Sequence, residues 1–531
     1  MRTLQALQSW VLPAGERGAF LDSLRGRLTP LECERIAGLM EAASALVEVL
    51  ERKNLSIARL RDLVFGPTTE SARNLCGRVP GEQQPPLRKR RGHGRRSQHG
   101  YTGARRIRVP HPELKPAQEC PGCRQGKVRP QQQPARTLRL TAHPPVAAEI
   151  HELERLRCDT CGEVFTAPVP AGAGTEKYDP SVGVLVGLLR FGTGLPFHRL
   201  ERLQESVGVP LPASVQWEQA LRTAEALEPV EQHLLHLGAQ SAVFYNDDTP
   251  MRIASVRKQI ESEKDPERTG IFTTGIVCEG TGSDPVIRLL FTGRAHAGEN
   301  LARVLKERAP ELGTPLQMCD ALDRNEPRDQ DTELCHCLIH ARRQFIEIRT
   351  AFPVECRRVV ETFAVVYQVE AECRKEGVDV EERLRRHQAR SQPVMEALRQ
   401  EFTEAMDRKK VEPNSGLGDA IQYVIKRWET LTRFLTTPGA PIDNNVTERL
   451  LKSSILHRKN SMHYRTQRGA EVGDRYMTVI ETCRANEANP FDYMMAVVRN
   501  LEAVKLDPGG WMPWNYLDTM AQAAVSEAGV P

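Results

Sequence analysis

Three acidic residues stand where a metal-dependent reaction on phosphate esters would need them. Asp247 comes two residues after the short apolar segment 241–245, Asp320 directly follows the apolar segment 315–319, and Glu448 lies within a segment that starts like a helix. Two-metal phosphoryl transfer needs rigidly aimed carboxylates, because the ions must stand about 3.5 to 4 Å apart. The candidate catalytic residues are therefore Asp247, Asp320 and Glu448, with Mg²⁺ or Mn²⁺ as the cation.

The helix around Glu448 supplies the strongest local argument. Asp443 or Asn444 is expected to cap its first turn, and Asn444 stands four residues before Glu448. Residues at this spacing share a helix face, so Asn444 is expected to support the glutamate by hydrogen bonding. An isolated aspartate at a strand end can also simply cap a turn, and this alternative applies to Asp247 and Asp320.

The segments around these acids predict a ribonuclease-H-like α/β catalytic core. The order is strand, strand, strand, helix, strand, over residues 241–245, 270–278, 285–291, 296–308 and 315–319. Between Asp320 and Glu448 lie 127 residues, more than a direct connection needs. We therefore expect a core made of residues 239–350 and 436–490, interrupted by a helical insertion over 351–435.

Further polar groups flank this core. Cys337 and His340 open the stretch before the insertion and either bind a metal or pack locally; since no second pair with ligand spacing is evident, packing is favoured. Arg458 and Lys459, downstream of Glu448, suit contacts with the DNA backbone, although they could equally form a solvated rim.

Four cysteines have the spacing of a zinc site. Cys120 and Cys123 form one Cys-x-x-Cys pair, and Cys158 and Cys161 form another after 34 intervening residues. Four thiolates complete a tetrahedral structural zinc and leave no open position for catalysis. Residues 111–172 are therefore predicted to be a zinc ribbon with short strands, near 137–141 and 147–151.

A basic stretch precedes the zinc ribbon. Residues 68–110 are polar and rich in Pro and Gly, which indicates a linker, and no acid occurs between Glu82 and Glu113. This linker is either a solvated charge run or a DNA contact; the residues assigned to DNA are Arg88, Lys89, Arg90, Arg91, Arg95 and Arg96.

Helices are predicted on both sides of these modules. Residues 1–67 contain apolar heptads from Ile36 to Val64, which predict a leucine-zipper-like coiled coil or an amphipathic helix on the protein's own core. Residues 173–238 read as helices that include a helix-turn-helix for a DNA groove or a plain helical hairpin. Residues 491–531 form a separate C-terminal region.

Composition places the chain among multidomain α+β proteins. It has 531 residues, 40% of them hydrophobic, a net charge of +4 and thirteen cysteines. No run of about 18 apolar residues and no secretory signal is evident, so the protein is expected to be soluble and intracellular, with no membrane partner.

Motifs along nearly the whole chain resemble those of the Asp-Asp-Glu transposases of the insertion sequence 66 family. They are Leu63–Gly66 with Thr69–Ser71, Gly92–Arg95, the four cysteines, Leu195–Arg199, Asp247–Pro250, Cys337–Phe345, Asp443–Arg449 with Arg458–Asn460, and Met512–Asn515. The resemblance implies a DNA transposase that cuts the ends of its insertion sequence and joins the 3′-hydroxyl to target DNA. It also implies double-stranded DNA as partner, a homo-oligomer on DNA, and small companion proteins from the same element.

The first two acids differ from the family pattern in their neighbouring residues. Asp248 stands where the family has Glu, so that either Asp247 or Asp248 could be the ligand. Asp320 lacks the Gly and aromatic residue that usually follow the second acid, and Asp323 is its nearest substitute. The rival functions are a catalytically weakened or inactive transposase-derived DNA-binding protein, and a ribonuclease-H-like nuclease without strand transfer.

Overall fold

The computed structural model describes residues 14–24, 27–41, 112–129, 145–157, 164–170, 174, 176–263, 268–280, 282 and 284–528. The chain divides into two compact units: residues 78–147 form one, and residues 1–77 with 148–531 form the other. Across the described ranges, no helix is both long enough and apolar enough to cross a membrane.

A mixed five-stranded sheet forms the centre of the larger unit. Its strands are β3 (Val243–Pro250), β4 (Phe272–Glu279), β5 (Ile287–Gly293), β6 (Leu316–Cys319) and β7 (Glu333–His336). Their order is β5-β4-β3-β6-β7, with antiparallel pairing from β5 to β3 and parallel pairing from β3 to β7. A separate antiparallel pair is formed by β1 (Arg155–Arg157) and β2 (Val164–Thr166).

Helices surround the sheet and fill the interval between its parts. Before the sheet are α1 (Ala14–Leu24), α2 (Pro180–Gly187), α3 (Phe197–Ser206), α4 (Ala213–Ala226) and α5 (Glu228–Ala239); within it are α6 (Ala254–Ser262) and α7 (Ala297–Leu305). After β7 come α8 (Leu338–Ile348), α9 (Pro353–Glu376), α10 (Val380–Arg390), α11 (Gln392–Asp407), α12 (Gly416–Lys426) and α13 (Trp428–Leu431). The chain ends with α14 (Asn445–Ser461), α15 (Gln467–Ala485), α16 (Pro490–Arg499), α17 (Leu501–Leu506) and α18 (Tyr516–Ala528).

The sheet differs from the sequence prediction in two strands. The first strand does not end at residue 245: pairing with β4 continues to Pro250, so Asp247 lies inside β3. The edge strand β7 was not predicted, because four residues carry too short an alternation to be recognised. In the zinc segment, residues 147–151 are not a strand; β1 begins at Arg155, and residues 137–141 lie outside the described ranges.

Helix α15 covers the exposed edge of β5. The backbone N–H groups of Arg288, Leu290 and Thr292 donate to side-chain oxygens of Thr482, Thr478 and Asp474, over 3.1, 3.1 and 2.6 Å. Every second residue of a strand is about 6.6 Å from the previous one, and residues four apart on a helix are about 6 Å apart. The row of N–H groups on β5 therefore matches the row of side-chain oxygens on α15. This pairing satisfies the edge that would otherwise invite another strand.

Opposite faces of the sheet carry different helices. On one face, the amide of Asn300 in α7 donates to Thr274 Oγ1 over 2.8 Å. On the other face, Gly275 leaves room for α14, since an added Cβ would lie 3.1 Å from Leu451. These two helices determine which side chains of β3 become neighbours of the predicted helix acid Glu448.

Candidate active site

Asp247 and Asp248 leave the sheet on opposite faces, because successive strand residues alternate. Asp247 pairs with Gly275 and therefore lies on the face that α14 covers. Asp248 lies on the α7 face, where its Oδ2 is 3.0 Å from His296 Nδ1 and its Oδ1 is 3.5 Å from Arg324 Nη2. The buried Asp248 thus has two cationic or hydrogen-bonding partners, and Asp247 is the acid on the Glu448 side.

Asp320 is beside Asp247 in the parallel register. Strands β3 and β6 pair as far as Met318, and continuing that register by two residues sets Asp320 against Asp247. Asn325 Nδ2 donates to Asp320 Oδ1, and burial raises the pKa of the Asp320 carboxyl. The alternative residue, Asp323, is exposed within a short 3₁₀ turn.

Glu448 lies in the first turn of α14, and Asn444 fixes the start of that helix. Asn444 occupies the N-cap position, but its side-chain amide donates instead to the Asn246 carbonyl over 3.0 Å. Its backbone N–H donates to Cys337 Sγ over 3.3 Å. The side chain that receives the helix's first N–H is Asp443, over 3.1 Å. Asn444 therefore supports Glu448 by tying α14 to the strand residue just before Asp247.

The pKa of Asp247 reflects both its burial and the charges of the other two acids. Burial raises it to about 7, and the negative charges of Asp320, Asp248 and Glu448 act in the same direction. Unneutralised carboxylates that share a site repel one another and favour the protonated form. The negative charges of Asp320, which follows β6, and of Glu448 in α14 therefore both act on Asp247 in β3.

Cys337 and His340 adjoin this group in different ways. Cys337 is buried and its sulfur accepts the Asn444 N–H, a structural contact in agreement with the favoured packing. Burial and the charge of Arg343 lower the pKa of His340, although Asp320 and Glu448 act in the opposite direction. The imidazole of His340 is thus neutral at pH 7.

The donor set can be tested against a divalent cation. Among the described residues, no three His, Cys, Asp or Glu side chains form a ready set of metal ligands. The three acids offer only carboxylate oxygens, the ligands that Mg²⁺ and Mn²⁺ prefer, and their repulsion raises the pKa of Asp247. A cation would remove that repulsion, so the carboxylate chemistry of the site fits one.

Arg458 and Lys459 are placed differently from each other. Arg458 Nη1 donates to the Pro250 carbonyl and, over 3.3 Å, to Thr249 Oγ1, which fastens the end of β3 to α14. Lys459 is exposed on the same helix. Arg458 is therefore engaged within the fold, and only Lys459 is fully presented to solvent.

Half of the predicted zinc site is described. Residues 119 and 127 form an antiparallel bridge around Cys120 and Cys123, and Arg124 has a φ of 55°, which closes a tight turn. Backbone N–H groups of Gln125 and Gly126 lower the pKa of the Cys123 thiol. This is a turn suited to presenting thiolates, while Cys158 and Cys161 lie outside the described residues.

The basic linker also lies outside the described residues. This applies to Arg88, Lys89, Arg90, Arg91, Arg95 and Arg96, and to most of the heptads. Residues 30–41 are helical, which covers only the first of the predicted repeats.

Sequence reasoning missed the residues that orient the aspartates. Asn246 Nδ2 donates to the Asn325 carbonyl over 2.7 Å, while His296 and Arg324 hold Asp248. A signal existed only for Asn246, which lies between the predicted strand 241–245 and the aspartate pair. The other three are distant in sequence and meet it only in the folded chain.

Comparison with known proteins finds a matching family and similar proteins. The family described as "Transposase IS66 family" matches residues 177–472. Two uncharacterized proteins of Sinorhizobium fredii are similar to the chain. Protein y4jD is 26% identical over 393 residues, covering 70% of this chain and 73% of its own length. Protein y4hP is 25% identical over 372 residues, covering 66% of this chain and 64% of its own length.

Proposed function

Since the chain belongs to the IS66 family of transposases, we propose that it cuts the ends of its insertion sequence and transfers the freed 3′-hydroxyl into target DNA. The catalytic residues in this proposal are Asp247, Asp320 and Glu448. The observation that carries it is the raised pKa of Asp247, to about 7, in which the charges of both other acids take part. Perturbed acids in one cluster are typical of functional sites.

The sheet supports a ribonuclease-H-like catalytic core. Three antiparallel strands continue into two parallel ones, and the central strand β3 carries the first acid. The second acid follows the neighbouring strand β6, and the third comes from a helix that packs on the same face. Acids on a sheet and a packed helix are held more rigidly than acids on loops.

The chain's own residues hold and orient the reacting groups. Bound Mg²⁺ or Mn²⁺ would supply Lewis-acid polarisation of the phosphate and activation of the attacking hydroxyl. Asp247, Asp320 and Glu448 would hold the cations, Asn325 orients Asp320, and Asn444 keeps the Glu448 helix against β3.

Other parts of the chain would grip DNA. We assign the terminal inverted repeats and the target to the basic linker, to Lys459, to a zinc ribbon closed by Cys120, Cys123, Cys158 and Cys161, and to the α3–α4 hairpin as a helix-turn-helix. The N-terminal heptads would pair two copies as a coiled coil. The proposed location is the bacterial cytoplasm at the nucleoid, and companion proteins of the same element are proposed partners.

Cleavage of a labelled end duplex, which carries the DNA flanking this reading frame, tests the assignment. Asp247→Asn and Asp320→Asn are expected to lower Mg²⁺-dependent cleavage roughly a thousandfold and leave end binding nearly intact. Asp323→Asn, three residues from Asp320, is the matched control and should cut like the wild type. Equal loss of binding and cleavage in Asp247→Asn would contradict the assignment.

The same assay separates the rival functions. Specific binding by the wild type without any cleavage in Mg²⁺ or Mn²⁺ would indicate a DNA-binding protein derived from a transposase. Cleavage without joining of the cut end to a second duplex would indicate a ribonuclease-H-like nuclease.

A further inference from the structure

A cleft separate from the three acids lies between the helices before the sheet and the end of α14. Its volume is about 830 Å³, within the range of small-molecule sites. The side chains that characterise it are aromatic or basic: Arg190, Phe191, Phe197, Trp217, Tyr464 and Arg465. Of the described residues that line it, none is acidic. The cleft therefore offers flat apolar faces and positive charge together.

Arg190 is the most buried basic residue that lines this cleft. It donates to Ser461 Oγ and lies over the Phe197 ring, with 4.9 Å between guanidinium carbon and ring centroid. Its Nε is buried without a hydrogen-bond partner, and no ion pair joins Arg190 to an acid in the described part of the chain. A partly buried cation without a counter-ion is unfavourable, so an anionic ligand would stabilise it.

The backbone around the cleft is irregular on both sides. Arg190 and Phe191 belong to a π-helical turn, Leu188–Gly192, and such turns occur frequently at functional sites. At the opposite rim, Met462 has a φ of 66° and an exposed fraction of 65%. A left-handed non-glycine residue is strained, and strained residues cluster at ligand sites.

Helix α14 connects the cleft to the acids. Glu448 and Ser461 are thirteen residues apart on it, which corresponds to about 20 Å. That distance spans about six base pairs of B-form DNA at 3.4 Å each. One duplex could thus reach both places at once.

We propose that this cleft binds one unpaired nucleobase of the DNA end, stacked on Trp217 and Phe197, with its phosphate at Arg190. This inference rests on the proposed function. A paired base keeps its faces inside the helix, so the base must leave the stack before it reaches an aromatic cleft. Base–aromatic stacking is sequence-tolerant and offsets the cost of unpairing.

The test removes the cost of unpairing at one position at a time. The probes are end duplexes in which a single base is left unpaired by an abasic site opposite it, moved through the first ten positions from the cut. Wild-type protein is expected to bind one of these duplexes, near the sixth position, about tenfold more tightly than the paired duplex. A flat profile would overturn the inference.

Variants of the cleft locate the effect. Trp217→Ala and Trp217→Leu, the second of which keeps apolar volume without a flat ring, should lose the tenfold gain. Trp514→Ala, a half-buried tryptophan outside the cleft, is the matched control and should keep it. Circular dichroism and melting curves confirm that each variant is folded. Retention of the gain in folded Trp217→Leu would overturn the inference.

The outcomes distinguish this inference from the proposed function. Binding is measured without added Mg²⁺ or Mn²⁺ and also with Asp247→Asn, because base capture needs no cleavage. A position-dependent gain in affinity without cleavage would contradict only the proposed catalysis. Intact cleavage with an affinity that does not depend on the position of the unpaired base would contradict only the base cleft. Loss of DNA-free self-association in Trp217→Leu would show that the cleft seats a second copy instead, and would also overturn the inference.

Discussion

The helical insertion and the sheet both bury carboxylates, but the charges next to these carboxylates differ. In the insertion, Glu370 of α9 lies 2.7 Å from Arg383 Nε and 3.2 Å from His387 Nε2. Burial alone would raise its pKa, yet the hydrogen bond from His387 and the charge of Arg383 lower it to about 2. On the sheet, burial and neighbouring acids raise the pKa of Asp247 to about 7.

The carboxylate of the insertion is paired with cations and stabilises the fold, whereas the acids of the sheet repel one another. A buried charge with well-placed partners is stable as it is, and removing one partner leaves the other uncompensated. A group of acids without cations is unfavourable until something positive binds. The insertion is therefore complete by itself, whereas the sheet site would gain stability from the cation that we propose.

The largest expected effect on stability is in the insertion. Glu370→Gln leaves Arg383 buried without its acid and should lower the free energy of unfolding by about 3 kcal/mol. Urea unfolding monitored by circular dichroism measures it. Glu372→Gln, on the same helix as Glu370, breaks the exposed ion pair with Arg390 of α10 and should lower the free energy of unfolding far less. Equal effects of the two variants would remove the basis of the comparison.

A smaller effect is expected at the sheet when Mg²⁺ is added. At pH 8, a hundredfold excess over Kd should stabilise the wild type by about 2.7 kcal/mol. Asp247→Asn should lose most of this gain and, without Mg²⁺, be at least as stable as the wild type, because one repelling charge is gone. Thermal unfolding with and without Mg²⁺ measures both. An undiminished Mg²⁺ effect in Asp247→Asn would show that the cation binds elsewhere.

The last predicted effect is the pH dependence of the metal-free protein. In the folded protein the pKa of Asp247 is about 7, above the 3.8 of an unperturbed aspartate. Its contribution to the free energy of unfolding is therefore full below pH 3.8 and is lost as pH rises through 7. The folded pKa of Glu370, about 2, is below 4.5, so its contribution is present above pH 4.5 and lost as pH falls through 2.

Urea unfolding from pH 3 to pH 8 separates the two groups. Asp247→Asn should flatten the profile between about pH 4 and 7, and Glu370→Gln should flatten it only below about pH 4.5. If either variant changed the other's pH window, the two regions would not be electrostatically independent.

Much of the sheet could be predicted because its strands are short apolar runs bounded by turns. The four predicted strands are present as β3 to β6, and the mixed α/β character is confirmed. Strand β7 could not be predicted, since its four residues are stabilised mainly by pairing with β6. The extension of β3 to Pro250 likewise depends on the pairing with β4, which no local pattern in β3 reveals.

The sequence alone determined the acids, their spacing and the family to which the chain belongs, because motifs and short-range periodicity are local properties. Only the tertiary structure shows that Asp247 and Asp248 lie on opposite faces of β3 and that Asp247 is on the face that meets α14. The same holds for the Arg190 cleft, whose walls come from residues about 270 positions apart in the chain, such as Arg190 and Ser461. Long-range packing brings these groups together, and neither composition nor spacing encodes it in a readable form.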